Sequence, residues 1–180
     1  MNREYALQLY ATAMEFYQVY PVLKADANQR HDFIGVKHYN LCHALELTLK
    51  GWLAYTGDYS EKQLGQKFGH DLKRVANKVR KIYSPIPQLD ACRGYILTLN
   101  ADYFGKSYEY PMNAGRLIGL ADHAGFAAAV EDLIHALAKT LQSGKFPEKP
   151  LPVDPVQKSF LEQLGDVIVR FGLWLKKLAS

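Results

Sequence analysis

The sequence contains very little cysteine. Its two cysteines, Cys42 and Cys92, lie far apart in the chain, and neither belongs to a CxxC pair or to a group of cysteines and histidines. Zinc-finger and thioredoxin-like classes therefore have no support. We expect a reduced, cytoplasmic protein in which both cysteines pack as small hydrophobic side chains.

Long apolar runs are also missing. No stretch approaches the roughly 18 consecutive apolar residues that a membrane-spanning helix needs. The first ten residues include Glu4 and lack the continuous apolar segment of a signal peptide. We therefore expect neither secretion nor a membrane partner.

Neither sign of charge is in large excess. The chain has 22 Lys and Arg residues against 18 Asp and Glu residues, a formal net charge of +4. This mild excess permits a phosphate-bearing partner but does not by itself indicate one. At 180 residues with 48% of them hydrophobic, the chain can bury about 70% of its unfolded surface, so an ordinary apolar core is expected.

Strand alternation is absent, whereas apolar residues recur at helical spacing almost everywhere. The pattern predicts an all-α fold, an antiparallel four- or five-helix up-and-down bundle. Five helices are expected in the first 142 residues, at about 3–20, 31–55, 70–82, 88–103 and 122–142. We expect Pro21 to limit the first of them, because proline cannot donate a backbone hydrogen bond.

The chain after residue 142 divides into a predicted linker and a predicted helix. Four of the eight prolines fall between Pro147 and Pro155, which predicts a Pro-rich linker at 143–156. Residues 157–180 are predicted to form a C-terminal amphipathic helix with a wide apolar face. Its own bundle, a second copy of the chain or a membrane surface could cover that face; packing within the protein is favoured, and the long linker makes a homodimer plausible.

The second helix carries an unusual polar edge. Tyr39, His43, Glu46 and Lys50 fall within about 60° of one another at 100° per residue. One interpretation is a solvated face with a Glu–Lys ion pair worth ~0.3–0.5 kcal/mol. The other is a partly buried polar site in which Glu46 orients His43, Lys50 meets an anion, and His70 joins from the start of the next helix.

These residues carry a family resemblance. The blocks His-Ala-Leu-Glu-Leu-Thr-Leu-Lys at 43–50 and Gly-His-Asp-Leu at 69–72, followed by Tyr-Glu-Tyr-Pro at 108–111, resemble the HEPN family over about residues 5–140. The resemblance implies an antiparallel, frequently dimeric helical bundle linked to nucleotide handling, RNA cleavage, or toxin–antitoxin and defence systems. A nucleotide, RNA, a nucleotidyltransferase or an antitoxin would then be the partner.

The resemblance also implies a possible ribonuclease site. Nuclease members of that family carry an Arg and a His four to six residues apart, and here the corresponding pair is Arg116 and His123, seven apart. In that role His123 would be a general acid or base and Arg116 would stabilise the phosphate, without a metal. The sequence departs from the family further at Glu109, where related sequences often have Arg.

The third predicted helix has an almost wholly cationic polar side. Five basic residues follow Asp71 without an acid between them: Lys73, Arg74, Lys78, Arg80 and Lys81. This basic patch favours a phosphate-bearing ligand, although a solvated face that complements the helix dipole gives the same pattern. Aromatic residues at 103–110 could stack on bases if they lie nearby.

No familiar catalytic or metal motif appears. The sequence has no HExxH, no Gly-rich phosphate loop and no GxSxG, and its DxxH at 132–135 stands alone. We therefore expect no cofactor and no metal. The favoured function is a non-catalytic HEPN-like binding module; a metal-independent ribonuclease and a structural assembly subunit are the alternatives.

Overall fold

The structure, a computed structural model, describes residues 2–25, 34–83, 85–108 and 122–144. This part of the chain contains seven α-helices and no strand, so the all-α prediction is confirmed. The helices are α1 (Arg3–Ala25), α2 (Ile34–Thr56), α3 (Glu61–Phe68), α4 (Leu72–Ile82), α5 (Pro87–Ala91), α6 (Arg93–Phe104) and α7 (His123–Ser143).

Helix α2 lies at the centre of the fold. It contacts α1, α7, α4, α3 and α6. Its apolar face is buried, with Leu41, Ala44, Leu45, Leu49 and Trp52 each at most 2% exposed. Because α2 is covered on several sides, any polar side chain on it must find partners inside the protein.

Local signals set the helix ends. Ser60 caps α3 in a capping box with Gln63, and Asp71 caps α4 by accepting a hydrogen bond from the Arg74 amide at 3.0 Å. Asp122, where the fifth predicted helix begins, caps α7 by accepting from the Gly125 amide at 2.8 Å. Gly69 has a φ of +49°, which favours glycine and turns the chain sharply between α3 and α4.

Two predicted helices have wrong bounds, and α3 was not predicted, so the described residues contain seven helices where five were expected. Helix α1 continues through Pro21 to Ala25, because proline removes only one hydrogen bond while Tyr17 and Tyr20 remain buried against the core. The single helix predicted at 88–103 is two helices, divided at Cys92, whose ψ of −10° lies about 30° from the ideal α-helical value. The buried Cys92 thiol lies 3.4 Å from the Ala129 carbonyl oxygen of α7.

The chain divides into two compact units, residues 1–148 and 149–180. All of the second unit, including the predicted helix at 157–180, and the linker from residue 145 onward lie outside the described residues. No helix in the described part is both long and apolar enough to span a bilayer.

Gly51 lies where α2 meets two neighbouring helices, and it provides a test of this packing. A Cβ there would lie 2.8 Å from Leu137 Cδ2 of α7 and 3.7 Å from the Ala6 carbonyl oxygen of α1. We predict that Gly51→Val lowers the free energy of unfolding by roughly 1–3 kcal/mol through overpacking. Chemical denaturation measures the change.

Gly65 of α3 is the matched control, because a Cβ there meets nothing within 4 Å. Gly65→Ala should leave the free energy of unfolding unchanged or raise it by up to about 1 kcal/mol. Equal effects of the two substitutions would contradict the close approach of α1 and α7 to α2.

Candidate functional site

The polar edge of α2 centres on the carboxylate of Glu46, which is 2% exposed. Its Oε1 accepts a hydrogen bond from Lys50 Nζ at 2.5 Å. Its Oε2 accepts from the Tyr103 hydroxyl at 2.5 Å and lies 2.9 Å from His70 Nδ1. His43 Nδ1 lies 2.8 Å from the Tyr103 hydroxyl. We call these five residues the Glu46 network.

Three separate elements supply the Glu46 network. His43, Glu46 and Lys50 lie on one edge of α2, at the spacing that the sequence indicated. His70 lies in the short connection between α3 and α4, which is held by the Gly69 turn and the Asp71 cap. Tyr103 comes from the last turn of α6. The network therefore exists only when all three elements are in place.

The hydrogen bonds determine where the protons lie. An ionised carboxylate only accepts, and the single hydroxyl proton of Tyr103 goes to Glu46. His43 Nδ1 must therefore donate to the Tyr103 oxygen, and His70 Nδ1 must donate to Glu46. Both imidazoles, when neutral, are the Nδ1–H tautomer.

Opposing effects act on the Glu46 carboxyl group. Burial raises its pKa, but attraction by Lys50 and hydrogen bonds from Lys50, Tyr103 and His70 outweigh burial, so the net pKa is lowered. Burial and the adjacent Glu46 charge raise the pKa of the Tyr103 hydroxyl far above its usual value. Glu46 is thus charged and Tyr103 neutral across the physiological range.

Aromatic rings enclose one side of the network. Tyr39 stacks on His43 with ring centroids 5.6 Å apart, and Phe16 of α1 meets the same imidazole edge-on at 4.2 Å. The predicted site residue Tyr39 therefore contributes a ring contact. His43 is 18% exposed and His70 34% exposed, so solvent reaches the network at its imidazoles.

Only one member of the pair Arg116 and His123 lies within the described residues. Arg116 is outside them, as are Glu109 and His31. His123 begins α7, where its ring stacks on His38 with centroids 4.6 Å apart. His38 is fully buried.

The basic patch borders a groove between α3 and α4. This basic groove, of about 340 Å³, is lined by two aromatic rings, one amide and four cations: Tyr59, Phe68, Asn77, Lys67, Arg74, Lys78 and Lys81. None of these lining residues is acidic. The Lys67 and Lys78 ammonium groups lie 5.4 and 5.9 Å from the centre of the half-buried Tyr59 ring.

A second groove flanks the other side of α4. It also measures about 340 Å³, and Asn77 lines both grooves. Its cations are Lys73, Arg80 and Arg93, but Arg80 pairs with Asp90 at 3.2 Å. The second groove therefore has a weaker positive charge than the basic groove.

Comparison of the chain with models of known protein families, with curated proteins and with solved structures finds no match. The interpretation of the site depends on its own geometry and chemistry.

Sequence reasoning missed five residues of these sites: Tyr103 of the Glu46 network, and Tyr59, Lys67, Phe68 and Asn77 of the basic groove. Tyr103 is 57 positions from Glu46, and no sequence pattern indicated that its hydroxyl points inward rather than into the aromatic loop. Lys67 and Phe68 were missed because the segment at 61–68, which directly follows Tyr59 and Ser60, was not recognised as a helix. The capping box of Ser60 and Gln63 was the signal that could have revealed α3.

Glu46 and Lys50 should be energetically coupled. Glutamine offers one acceptor oxygen, so Glu46→Gln forces either Lys50 or the Tyr103 and His70 donors to face an amide NH₂. We expect the substitution to lower the free energy of unfolding by about 3 kcal/mol. In the double variant Glu46→Gln, Lys50→Met, the loss of unfolding free energy should be smaller than the sum of the two single-variant losses by about 1–2 kcal/mol.

Denaturant unfolding of the two single variants, the double variant and wild type measures this coupling. Glu15→Gln, on the exposed face of α1, is the control and should be neutral. Strict additivity of the two network substitutions would contradict a buried ion pair.

The lowered pKa of Glu46 predicts a pH dependence. The unfolded state, with a pKa near 4.5, takes up the proton before the folded state does, so stability from the ionised carboxylate is lost as pH falls below that value. The stability advantage of wild type over Glu46→Gln should therefore shrink on going from pH 6 to pH 3. Unfolding curves across this range test it; a constant difference would show that Glu46 is not held ionised.

Proposed function

We propose that this chain is a non-catalytic binding module for single-stranded nucleic acid, with the basic groove as its ligand site. The observation that carries the proposal is the lining of that groove, which contains four cations, the Tyr59 and Phe68 rings and no acid, with two of the cations over the Tyr59 ring. Phosphates bind cations, and bases of any identity stack on aromatic rings. A basic groove lined by a half-buried aromatic ring offers both kinds of group.

The lysine of the Glu46 network is already paired, which supports the choice of the basic groove as the ligand site. Lys50 is already paired with Glu46 at 2.5 Å, and its side chain is only 11% exposed. It therefore cannot serve as the anion-binding cation of the alternative site on α2. By contrast, Lys67, Arg74 and Lys81 of the basic groove are exposed, so a phosphate can reach them without breaking a buried ion pair.

The HEPN resemblance supports the same proposal, since proteins of that family handle nucleotides and RNA. The antiparallel arrangement of four or five helices belongs to this proposal, as do cytoplasmic location, a homodimer formed through the segment after residue 142, and a nucleotidyltransferase or antitoxin partner. Light scattering of the full chain and of a truncation after Gln142 tests the dimer, which requires twice the monomer mass for the full chain.

The main test is fluorescence anisotropy with a labelled oligouridine of about 12 nucleotides, a length within the site sizes of single-strand-binding domains. We expect binding that weakens steeply with salt. The triple variant Arg74→Gln, Lys78→Gln, Lys81→Gln should reduce the log–log salt slope by about 2, since each phosphate contact on a single strand contributes about 0.7. Tyr59→Leu should cost about 1–3 kcal/mol of binding free energy.

Lys139→Gln on the exposed side of α7 is the control and should bind like wild type. Absence of binding at low salt, or wild-type affinity in the triple variant, would contradict the proposal. Binding of polyglutamate with the same dependence on the three cations, and no effect of Tyr59→Leu, would instead indicate an acidic protein partner. Shortening of the RNA that His123→Ala abolishes would favour the ribonuclease alternative.

A further inference from the structure

Three metal-ligating atoms converge within the Glu46 network. They belong to His43, Glu46 and His70, one atom from each residue, and they all lie within 4.8 Å of one another. The Nδ1 atoms of His43 and His70 are 3.9 and 2.9 Å from Glu46 Oε2. Ligands at 2.0–2.1 Å from a tetrahedral ion lie about 3.3 Å apart. The two N–O distances, 3.9 and 2.9 Å, lie on either side of that value.

The donor set selects the class of metal. Two imidazoles and one carboxylate suit Zn²⁺ and its divalent transition-metal neighbours, whereas Mg²⁺ and Ca²⁺ require mainly oxygen ligands. The two imidazoles are also the solvent-accessible members of the network, since His70 is 34% and His43 18% exposed. An ion can therefore enter from solvent, and water can complete its coordination.

The remaining members of the network have the properties of an outer shell. Lys50 holds Oε1 of Glu46, the carboxylate oxygen away from the imidazoles, at 2.5 Å. Ligating carboxylates are typically fixed in this way by a second hydrogen-bonded group. The Tyr103 hydroxyl, 2.8 Å from His43 Nδ1, must give up that partner when an ion binds.

We propose that His43, Glu46 and His70 form a binding site for Zn²⁺. The sequence-based expectation of no metal followed from the absence of a known metal motif, although the sequence already grouped His70 with His43 and Glu46. In the metal-free protein the Nδ1 atoms of His43 and His70 each carry a proton. To bind the ion through Nδ1, each ring must lose that proton to solvent and carry a proton on Nε2 instead. A neutral ring therefore takes up a proton at Nε2, whereas a charged ring already has one there. The proposal does not depend on nucleic-acid binding.

The test is isothermal titration of the untagged, metal-free full chain with Zn²⁺, supported by the visible absorption spectrum of the Co²⁺ form. One ion per chain is expected. His70→Ala, at the accessible edge of the network, should weaken binding by more than about 100-fold, because even outer-shell changes cost 10–100-fold. His43→Gln should do the same.

Two variants serve as comparisons. His135→Gln removes an exposed histidine of α7 and should leave the affinity unchanged. Tyr103→Phe keeps all three ligands and removes the hydroxyl that competes for His43, so it should stay within about tenfold of wild type. No heat and no cobalt spectrum at millimolar metal would overturn the proposal, and so would binding that survives His70→Ala.

Discussion

One buried carboxylate imposes the tightest constraint on this structure. Removing a charge from water is costly unless it is paired and hydrogen-bonded. Glu46 meets that condition with donors from α2, from the α3–α4 connection and from α6. A shift of either neighbouring element relative to α2 would leave the charge with fewer partners. The carboxylate therefore favours one relative placement of these elements, which apolar packing alone specifies less strictly.

The same constraint separates the interior chemistry from the surface chemistry. Inside, Glu46 is paired with Lys50, and each hydrogen bond of the Glu46 network has a defined donor. At the basic groove, Lys67, Arg74 and Lys81 are exposed, and none of the lining residues is acidic. An anionic polymer gains most where cations are unpaired. The interior instead offers two imidazoles beside a fixed carboxylate, which suits a small cation.

Periodicity predicted the fold class and much of the core. The recurrence of apolar residues at helical spacing includes Leu41, Leu45 and Leu49 of the buried α2 face. The predicted helix at 122–142 begins at Asp122, the residue that caps α7. Helical geometry also predicted the shared edge of His43, Glu46 and Lys50, because those neighbours are fixed by 3.6 residues per turn. These features depend on contacts within a few residues of the chain.

The rest depended on contacts between distant segments. Tyr103 reaches Glu46 only because α6 packs near α2, and no local pattern encodes that approach. The direction of the Lys50 ammonium group, toward Glu46 rather than toward an external anion, follows from burial, which spacing alone does not determine. The end of α1 predicted at Pro21 was wrong for a related reason. Proline does destabilise a helix locally, but the packing of Tyr17 and Tyr20 offsets that cost.

The most direct measurement on the Glu46 network is the nitrogen NMR spectrum of the histidine rings in the metal-free protein at neutral pH. If Glu46 is ionised and accepts from Tyr103 and His70, the neutral rings of His43 and His70 both carry their proton on Nδ1. A proton on Nε2 with a bare Nδ1 in His70 would contradict the network, because that nitrogen could not then donate to the carboxylate.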